Sequence, residues 1–135
     1  MWCEATADEL KSLTDGLCNP VFVVEAGAGT CFPILSINKC FEDTTGWRQQ
    51  DVVGRCFGDL LPVPDRGDAR AGFVRCATSG EPVEYERRWD SSSGARWWRT
   101  NLTPVHGGDG RVARLLGNCY DITARKESLT RAQLN

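Results

Sequence analysis

The stretch VEYERRW at residues 83–89 changes the period of the sequence from 3.6 to 2. One set of alternating positions carries valine, tyrosine, an arginine and tryptophan, and the other carries two glutamates and an arginine. This alternation is typical of a β-strand. Two further strands are expected at 96–105 and 112–122, after turns at 90–94 and 106–110 that are rich in polar residues and glycine. Three consecutive strands joined by tight turns predict an antiparallel meander.

The sequence before this meander predicts one hairpin and several helices. Strands at 21–24 and 32–37 flank a glycine-rich turn at 27–29. A capping box of Thr6 and Glu9 begins an N-terminal helix that Gly16 ends. Asn38 is expected to cap a short helix that ends at Gly46.

The longest interior helix is predicted at 65–79, with Asp65 as its cap, and Pro62 and Pro64 ending the segment before it. A short helical turn precedes it at 49–53, and residues 123–134 are also expected to be helical. Strands segregated from helices indicate an α+β fold with one antiparallel sheet.

Length and composition exclude several classes of protein. The chain has 135 residues, enough for one domain, with 41% apolar and 25% charged residues. Sixteen basic and 18 acidic residues leave a net charge of −2, which does not suggest a nucleic-acid surface. No run of 18 apolar residues predicts a membrane span, and the N-terminus lacks the features of a signal peptide. A cytoplasmic location is therefore expected.

The cysteines stand singly along the chain. There are seven, at Cys3, Cys18, Cys31, Cys40, Cys56, Cys76 and Cys119, with no CxxC pair and one histidine. Structural zinc sites usually need paired ligands at short spacing, so no metal site is expected. In a reducing compartment most of these thiols would be free and buried, and we expect no structural disulfide.

Several segments together resemble a PAS domain between residues 19 and 126. NKCFEDTTGW at 38–47 resembles the family's N-x-x-F-x-x-x-T-G-[YW] segment, and DVVGR at 51–55 continues it. DITARK at 121–126 resembles the family's ending, where the last strand passes into a signalling helix. The resemblance implies a five-stranded antiparallel sheet in the order 2-1-5-4-3 that cradles a pocket.

The resemblance also implies a domain organisation and a role. Residues 1–18 would form a flanking helix, 19–122 the PAS domain and 123–135 the start of a signalling helix. Such a domain is normally one part of a longer signalling protein, so this chain is expected to be an excised piece of a histidine kinase or regulator of a two-component system. Its C-terminal helix would lead to a covalently linked output domain.

The resemblance permits a test of the family's cofactors. Photoadduct-forming flavin proteins carry a cysteine within N-C-R-F-L-Q, whereas residues 54–60 here read GRCFGDL, with Cys56 nearby. The family's flavin-contacting glutamine and asparagine would fall at Cys119 and Trp98. Haem-binding members usually supply a histidine from the long helix, which here offers only Cys76, while His106 falls in a turn. Neither flavin nor haem is expected.

The expected pocket is mostly apolar, with few polar points. Such a lining suits a small apolar or aromatic ligand. If Arg87 points inward, its charge would favour a ligand that carries a carboxylate. The alternative is an interaction module whose aromatic side chains fill its own core. No nucleophile–base arrangement is visible, so no enzymatic activity is expected. The predicted lining residues are Phe22, Val24, Phe41, Phe57, Phe73, Tyr85, Arg87, Trp98, Thr100, Leu102, Leu115 and Cys119.

Two neighbouring tryptophans suggest an interface. Trp97 and Trp98 must point to opposite faces of their strand, so one lies on the outer face of the sheet. The apolar stripe of the N-terminal helix, Leu10, Leu13 and Leu17, is expected to cover Trp97, from the same chain or from a partner. We therefore expect a homodimer built on this helix and the outer face of the sheet.

Overall fold

The computed structural model describes residues 4–27, 31–61, 63–91 and 94–134, with only the backbone described at 63–66, 68, 89–91 and 130–134. Five helices, one 3₁₀ helix and five strands lie in these residues. In chain order they are α1 (Ala7–Thr14), β1 (Val21–Glu25), β2 (Ile34–Ile37), α2 (Lys39–Thr45), α3 (Gln49–Val52), the 3₁₀ helix (Phe57–Leu60), α4 (Val63–Ser79), β3 (Val83–Ser91), β4 (Gly94–His106), β5 (Val112–Asp121) and α5 (Thr123–Leu134).

The five strands form one antiparallel sheet in the order β2-β1-β5-β4-β3. The predicted meander is its larger part, with Thr100 paired to Tyr85 on one side and to Cys119 on the other. Strand β5 lies at the centre of the order, and β1 lies beside it and pairs with both β2 and β5. The predicted α+β fold and strand order are therefore confirmed.

Helix α4 begins earlier than predicted. It starts at Val63, so Pro64 lies in its first turn and Asp65 lies inside the helix, not at its cap. The first turn of a helix tolerates proline because the missing N–H has no partner there. The prediction that Pro64 ends the preceding segment was wrong for this reason. Pro62 and the turn residues Ala28 and Gly29 lie outside the described residues.

Other boundaries differ by a few residues. Helix α1 ends at Thr14, with Asp15 as its C-cap, before Gly16 is reached. Strand β2 begins at Ile34 because Pro33 makes only an isolated bridge with Cys56. Strands β3 and β4 extend into the predicted turn at 90–94, up to the pair of Ser91 and Gly94.

The side chain of Asn38 joins three parts of the fold and is fully buried. Its Oδ1 accepts the backbone N–H groups of Val21 and Phe41, both at 2.9 Å. Its Nδ2 donates to the carbonyl oxygens of Thr14 and Asn19, at 3.0 and 2.9 Å. One amide thus caps α2, as predicted, and also fixes the entry to β1 and the end of α1.

Helix α1 lies on the outer face of its own sheet. Leu10 is fully buried against Val23, beside Leu35 and Leu116. Lys11 reaches across to Glu42 at 2.9 Å. Burial alone would raise the pKa of Glu42, but hydrogen bonds from Gln49 and Lys11 outweigh it and lower that pKa. This ion pair ties α1 to α2.

The expected cover of Trp97 was wrong. Helix α1 lies over β1 and β2. The other two leucines of the predicted stripe, Leu13 within α1 and Leu17 beyond its end at Thr14, are 59% and 49% exposed. Trp97 is instead covered from α5, where Lys126 Nζ lies 4.9 Å from the centre of its ring. The sheet order explains this, because β4 is separated from β1 by β5.

The expectation of no structural disulfide was also wrong. Cys31 and Cys56 are joined by a disulfide, with their Cα atoms 5.1 Å apart, a normal separation for such a bond. The bridge between Pro33 and Cys56 brings the two residues together. Among the described free cysteines, Cys76 is buried, Cys40 and Cys119 are half-buried and Cys18 is exposed. Cys3 lies outside the described residues.

None of the described helices is both long and apolar enough to cross a membrane.

Candidate functional site

A cavity of about 70 Å³ lies between the inner face of the sheet and the helices packed on it. Its volume corresponds to roughly five water molecules. Strands β1, β3, β4 and β5 supply its floor, and α2, the 3₁₀ helix and α4 supply its roof. The lining residues are Pro20, Phe22, Phe41, Phe57, Leu61, Ala69, Tyr85, Arg87, Arg88, Trp98, Thr100 and Cys119.

The ring of Phe22 forms the centre of the apolar wall. Its centroid lies 4.7 Å from that of Phe57, 5.8 Å from Phe73 and 5.9 Å from Phe41. These separations are the usual ones for aromatic pairs, each of which contributes about 0.5–1.5 kcal/mol beyond area burial. The 3₁₀ helix and α4 therefore both pack against the same residue of β1.

Gly117 makes this position of Phe22 possible. It lies opposite Phe22 in the register of β1 and β5. A Cβ atom at residue 117 would overlap the Phe22 ring, so only glycine fits there. The ring occupies the space that a side chain on β5 would otherwise fill.

Three hydrogen-bonding side chains meet on the floor of the cavity. Thr100 Oγ1 lies 3.6 Å from Cys119 Sγ. Burial raises the pKa of Cys119 to about 12, and burial also raises the pKa of Tyr85. Both groups stay protonated at neutral pH, so the floor offers neutral hydroxyl and thiol groups.

Two arginines of β3 also line the cavity. Arg87 is half-buried and lies on the same side of β3 as Tyr85, whereas Arg88 is exposed. Arg87 pairs in register with Trp98, which is 9% exposed. The cavity thus has a neutral polar floor and a cationic end.

The structure brings most of the predicted lining residues together. Four of the predicted residues, however, lie in the surrounding core and do not line the cavity: Val24, Phe73, Leu102 and Leu115. They share the inner face of the sheet or the buried face of α4, but neighbouring side chains separate them from the cavity. The periodicity of a strand or helix identifies which face is buried, but it cannot show where on that face the cavity lies.

Sequence reasoning also missed several lining residues. The predicted set lacks four residues that line the cavity: Pro20, Leu61, Ala69 and Arg88. The alternation of side chains along β3 put Arg87 on the same face as Tyr85 and put Arg88 on the opposite face. Leu61 and Ala69 follow from the apolar pattern around α4 only once the helix is docked on the sheet.

The cavity adjoins the start of α5. Trp98 lines the cavity, and its neighbour Trp97 contacts the first turn of α5 on the opposite face of β4. The Trp97 N–H donates to Thr123 Oγ1 at 2.8 Å, and the Ile122 N–H donates to the Trp97 carbonyl oxygen at 2.9 Å. The junction between β5 and α5 is thus bonded to the backbone next to Trp98.

Ion pairs reinforce this junction. Arg96 contacts Asp121 at 3.0 Å, and Lys126 contacts Glu86 on β3 at 2.8 Å. Hydrogen bonds from Lys126 and Arg99 lower the pKa of Glu86. Helix α5 therefore contacts the two strands that carry Tyr85, Arg87 and Trp98.

Within the described residues, neither a metal site nor the haem ligand considered from the sequence is present at the cavity. In the described ranges, no three His, Cys, Asp or Glu side chains are grouped so that they could hold a metal ion. Cys76, the soft ligand considered from the sequence, is fully buried and does not line the cavity. Its thiol lies 3.8 Å from the Leu102 carbonyl oxygen, and burial raises its pKa. Its role is packing.

Comparison with known proteins establishes the family. A family model described as "PAS fold" matches residues 20–127, nearly the whole of the sheet and its helices. The chain belongs to the PAS family.

Two relatives of this PAS domain are sensors by name. It is 34% identical over 124 residues to a blue-light-activated histidine kinase of Rhizobium johnstonii, covering 88% of this chain and 35% of that protein. The structure of an RNA-binding light-oxygen-voltage receptor matches with a TM-score of 0.77 at 25% identity, covering 93% of this chain and 35% of that one. The chain thus spans about a third of each, and the domain is homologous to signalling sensors.

A third comparison concerns the fold alone. The PAS domain of Bordetella pertussis BvgS matches with a TM-score of 0.72 at 22% identity, covering 93% of both chains.

The light-sensing names raise the question of a flavin, and the side chains here do not fit one. Cys56, which lies near the photoadduct position, is bonded to Cys31 and lines a neighbouring groove, not the cavity. Cys119 and Trp98 occupy the positions expected for the flavin-contacting amides. A cavity of about 70 Å³ is also far smaller than the usual range of roughly 300–1,000 Å³ for ligand pockets.

Substituting Gly117 tests the packing of Phe22. Gly117→Ala should lower the free energy of unfolding by about 1–3 kcal/mol, because the new methyl group forces the Phe22 ring toward the cavity. Chemical denaturation measures this change. Gly108→Ala is the matched control, since a Cβ there meets nothing within 4 Å, and should change stability by less than about 0.5 kcal/mol. Equal stability of the two variants would contradict the packing described here.

Proposed function

We propose that this PAS domain is a sensory module without catalytic activity of its own. It binds a small, largely apolar or aromatic ligand and biases the helix that leads to an output domain. The observation that carries the proposal is a cavity with aromatic walls whose floor ends in the neutral Thr100, Tyr85 and Cys119 groups. The kinase and receptor relatives support the sensory role.

The chemistry of the cavity narrows the ligand class. The rings of Phe22, Phe41 and Phe57 favour an apolar or aromatic body. Because the floor has neutral groups whose ionisation burial disfavours, the ligand group beside Thr100 should be a neutral carbonyl or hydroxyl. A carboxylate, if the ligand carries one, would be placed at Arg87. We propose no resident flavin or haem.

The proposed output path starts at Trp98. A ligand that moves the Trp98 ring displaces the backbone it shares with Trp97, which holds the first turn of α5 through Thr123 and Lys126. The cavity and α5 thus act on opposite faces of one strand. The result is a change in the orientation or stability of α5.

A second candidate function is an interaction module without a ligand. The small volume of the cavity favours it, since the rings of Phe22, Phe41 and Phe57 pack closely along its wall. Such a module would act through dimerisation only. The exposed Leu13 of α1 and the exposed Leu17 that follows the helix support a dimer in either case.

Extraction of natively purified protein separates the two candidates. The sensory proposal expects a small organic molecule at near-stoichiometric level by mass spectrometry, and no absorbance band in the Soret or flavin region. Thr100→Val should reduce occupancy about tenfold, because it removes the hydroxyl from the floor. Thr103→Val, on the exposed side of the same strand, is the matched control and should keep occupancy unchanged.

Recovery of no molecule from the wild-type protein would favour the interaction module. A stoichiometric flavin or haem band would contradict the proposed ligand class.

The dimer is tested at Leu13 and Leu17, the exposed leucines near the N-terminus. Leu10 is already buried against its own sheet, so the contact should depend on Leu13 and Leu17. Leu13→Gln with Leu17→Gln should raise the dimer dissociation constant about 100-fold, as expected from the loss of two apolar contacts. Light scattering over a concentration series measures it. Leu129→Gln, at another exposed leucine on α5, should leave it unchanged. A wild-type chain that stays monomeric at high concentration would contradict the dimer.

A further inference from the structure

The Cys31–Cys56 disulfide lies at the base of the segment that roofs the cavity. Cys56 directly precedes the 3₁₀ helix, and both Phe57 and Leu61 line the cavity. We define residues 54–61 as the roof segment. Its first part is bonded to β2 and the residues before it: Gly54 N–H donates to the Ile34 carbonyl oxygen at 2.8 Å, and Phe57 N–H donates to that of Phe32 at 3.3 Å.

The later part of the roof segment has local backbone bonds. Asp59 N–H donates to the Cys56 carbonyl oxygen and Leu61 N–H donates to that of Gly58. The disulfide therefore adds a covalent bond at the point where the backbone hydrogen bonds change from partners on the β2 side to partners within the roof segment. It connects the roof to the β1–β2 connection across 25 residues of sequence.

The disulfide is accessible to a reagent. Cys31 is exposed, and both cysteines line a groove of about 270 Å³ that also contains Asp59 and Arg70. Ala69 lines both the groove and the cavity. Phe73 lines the groove, and its ring centroid is 5.2 Å from that of Phe57 on the cavity side. One layer of side chains thus separates the disulfide from the ligand space.

We propose that Cys31 and Cys56 form a reversible thiol–disulfide site that regulates entry to the cavity. The inference rests on the proposed function, because it concerns access to the same cavity. The oxidised pair holds Phe57 and Leu61 against the aromatic cluster and closes the roof. Reduction releases the roof segment and admits the ligand.

The reductant is a thiol, and the exchange balances with two equivalents. A thiolate attacks Sγ of the exposed Cys31, the bond to Cys56 breaks, and Cys56 leaves as a thiolate that takes up a proton. A second thiolate then attacks the reagent's sulfur in the mixed disulfide, and Cys31 leaves as a thiolate that also takes up a proton. The products are two cysteine thiols and one disulfide of the reagent, so the protein gains two electrons and two protons.

Hydrogen exchange of the full chain, followed by mass spectrometry, tests the site without any ligand. Reduction with dithiothreitol should accelerate exchange in the roof segment about tenfold and leave α1 unchanged. Cys31→Ser with Cys56→Ser should exchange like the reduced protein under both conditions. Cys18→Ser, at an exposed free cysteine, should respond to dithiothreitol as the wild type does.

Two results would overturn the proposal. One is equal exchange of the roof segment in the oxidised and reduced proteins. The other is titration of all seven thiols in protein unfolded without reductant, where the disulfide leaves five.

Binding of the fluorescent probe 1-aminoanthracene distinguishes this proposal from the proposed function. Faster association of the probe after reduction supports both the redox control and the ligand cavity. Equal rates with clear binding overturn the redox control and leave the sensory cavity intact. In a third outcome, reduction accelerates exchange in the roof segment but neither form binds the probe. This result supports a redox site that controls the roof segment and counts against the ligand cavity.

Discussion

The packing of Phe22 against Gly117 is the contact on which the rest of the structure depends. Phe22 lies on β1, beside the central strand β5, and its ring takes the space left by the absent side chain of Gly117 on β5. From that position it contacts Phe41 of α2, Phe57 of the 3₁₀ helix and Phe73 of α4. One residue of the sheet therefore contacts three elements of the helical layer, and the cavity lies beside these rings.

The cavity and the C-terminal helix share one strand. Consecutive residues of a strand point to opposite faces, so Trp98 reaches the cavity while Trp97 reaches α5. Thr123 and Asp121 bond the junction, and Lys126 connects it to Glu86 on the next strand. The proposed output path therefore crosses only this one strand.

The sequence predicted those parts of the fold that depend on local pattern. The period of two identified the meander, the capping residues Thr6 and Asn38 were both confirmed, and the PAS resemblance supplied the strand order. The features that were missed depend on contacts between distant segments. Cys31 and Cys56 are 25 residues apart and no motif links them. Val24 and Leu115 lie on the predicted inner face of the sheet, yet they belong to the core and do not line the cavity.

Fluorine NMR of the chain labelled with 5-fluorotryptophan tests the central claim most directly, because the two neighbouring tryptophans report separately on the cavity and on α5. Trp97→Phe and Trp98→Phe assign the two resonances. With indole as the probe, a small aromatic molecule of the proposed class, both resonances should shift with one common concentration dependence. A shift of Trp98 alone would show a cavity that is not coupled to the output helix, and no shift of either resonance would contradict the cavity as a ligand site.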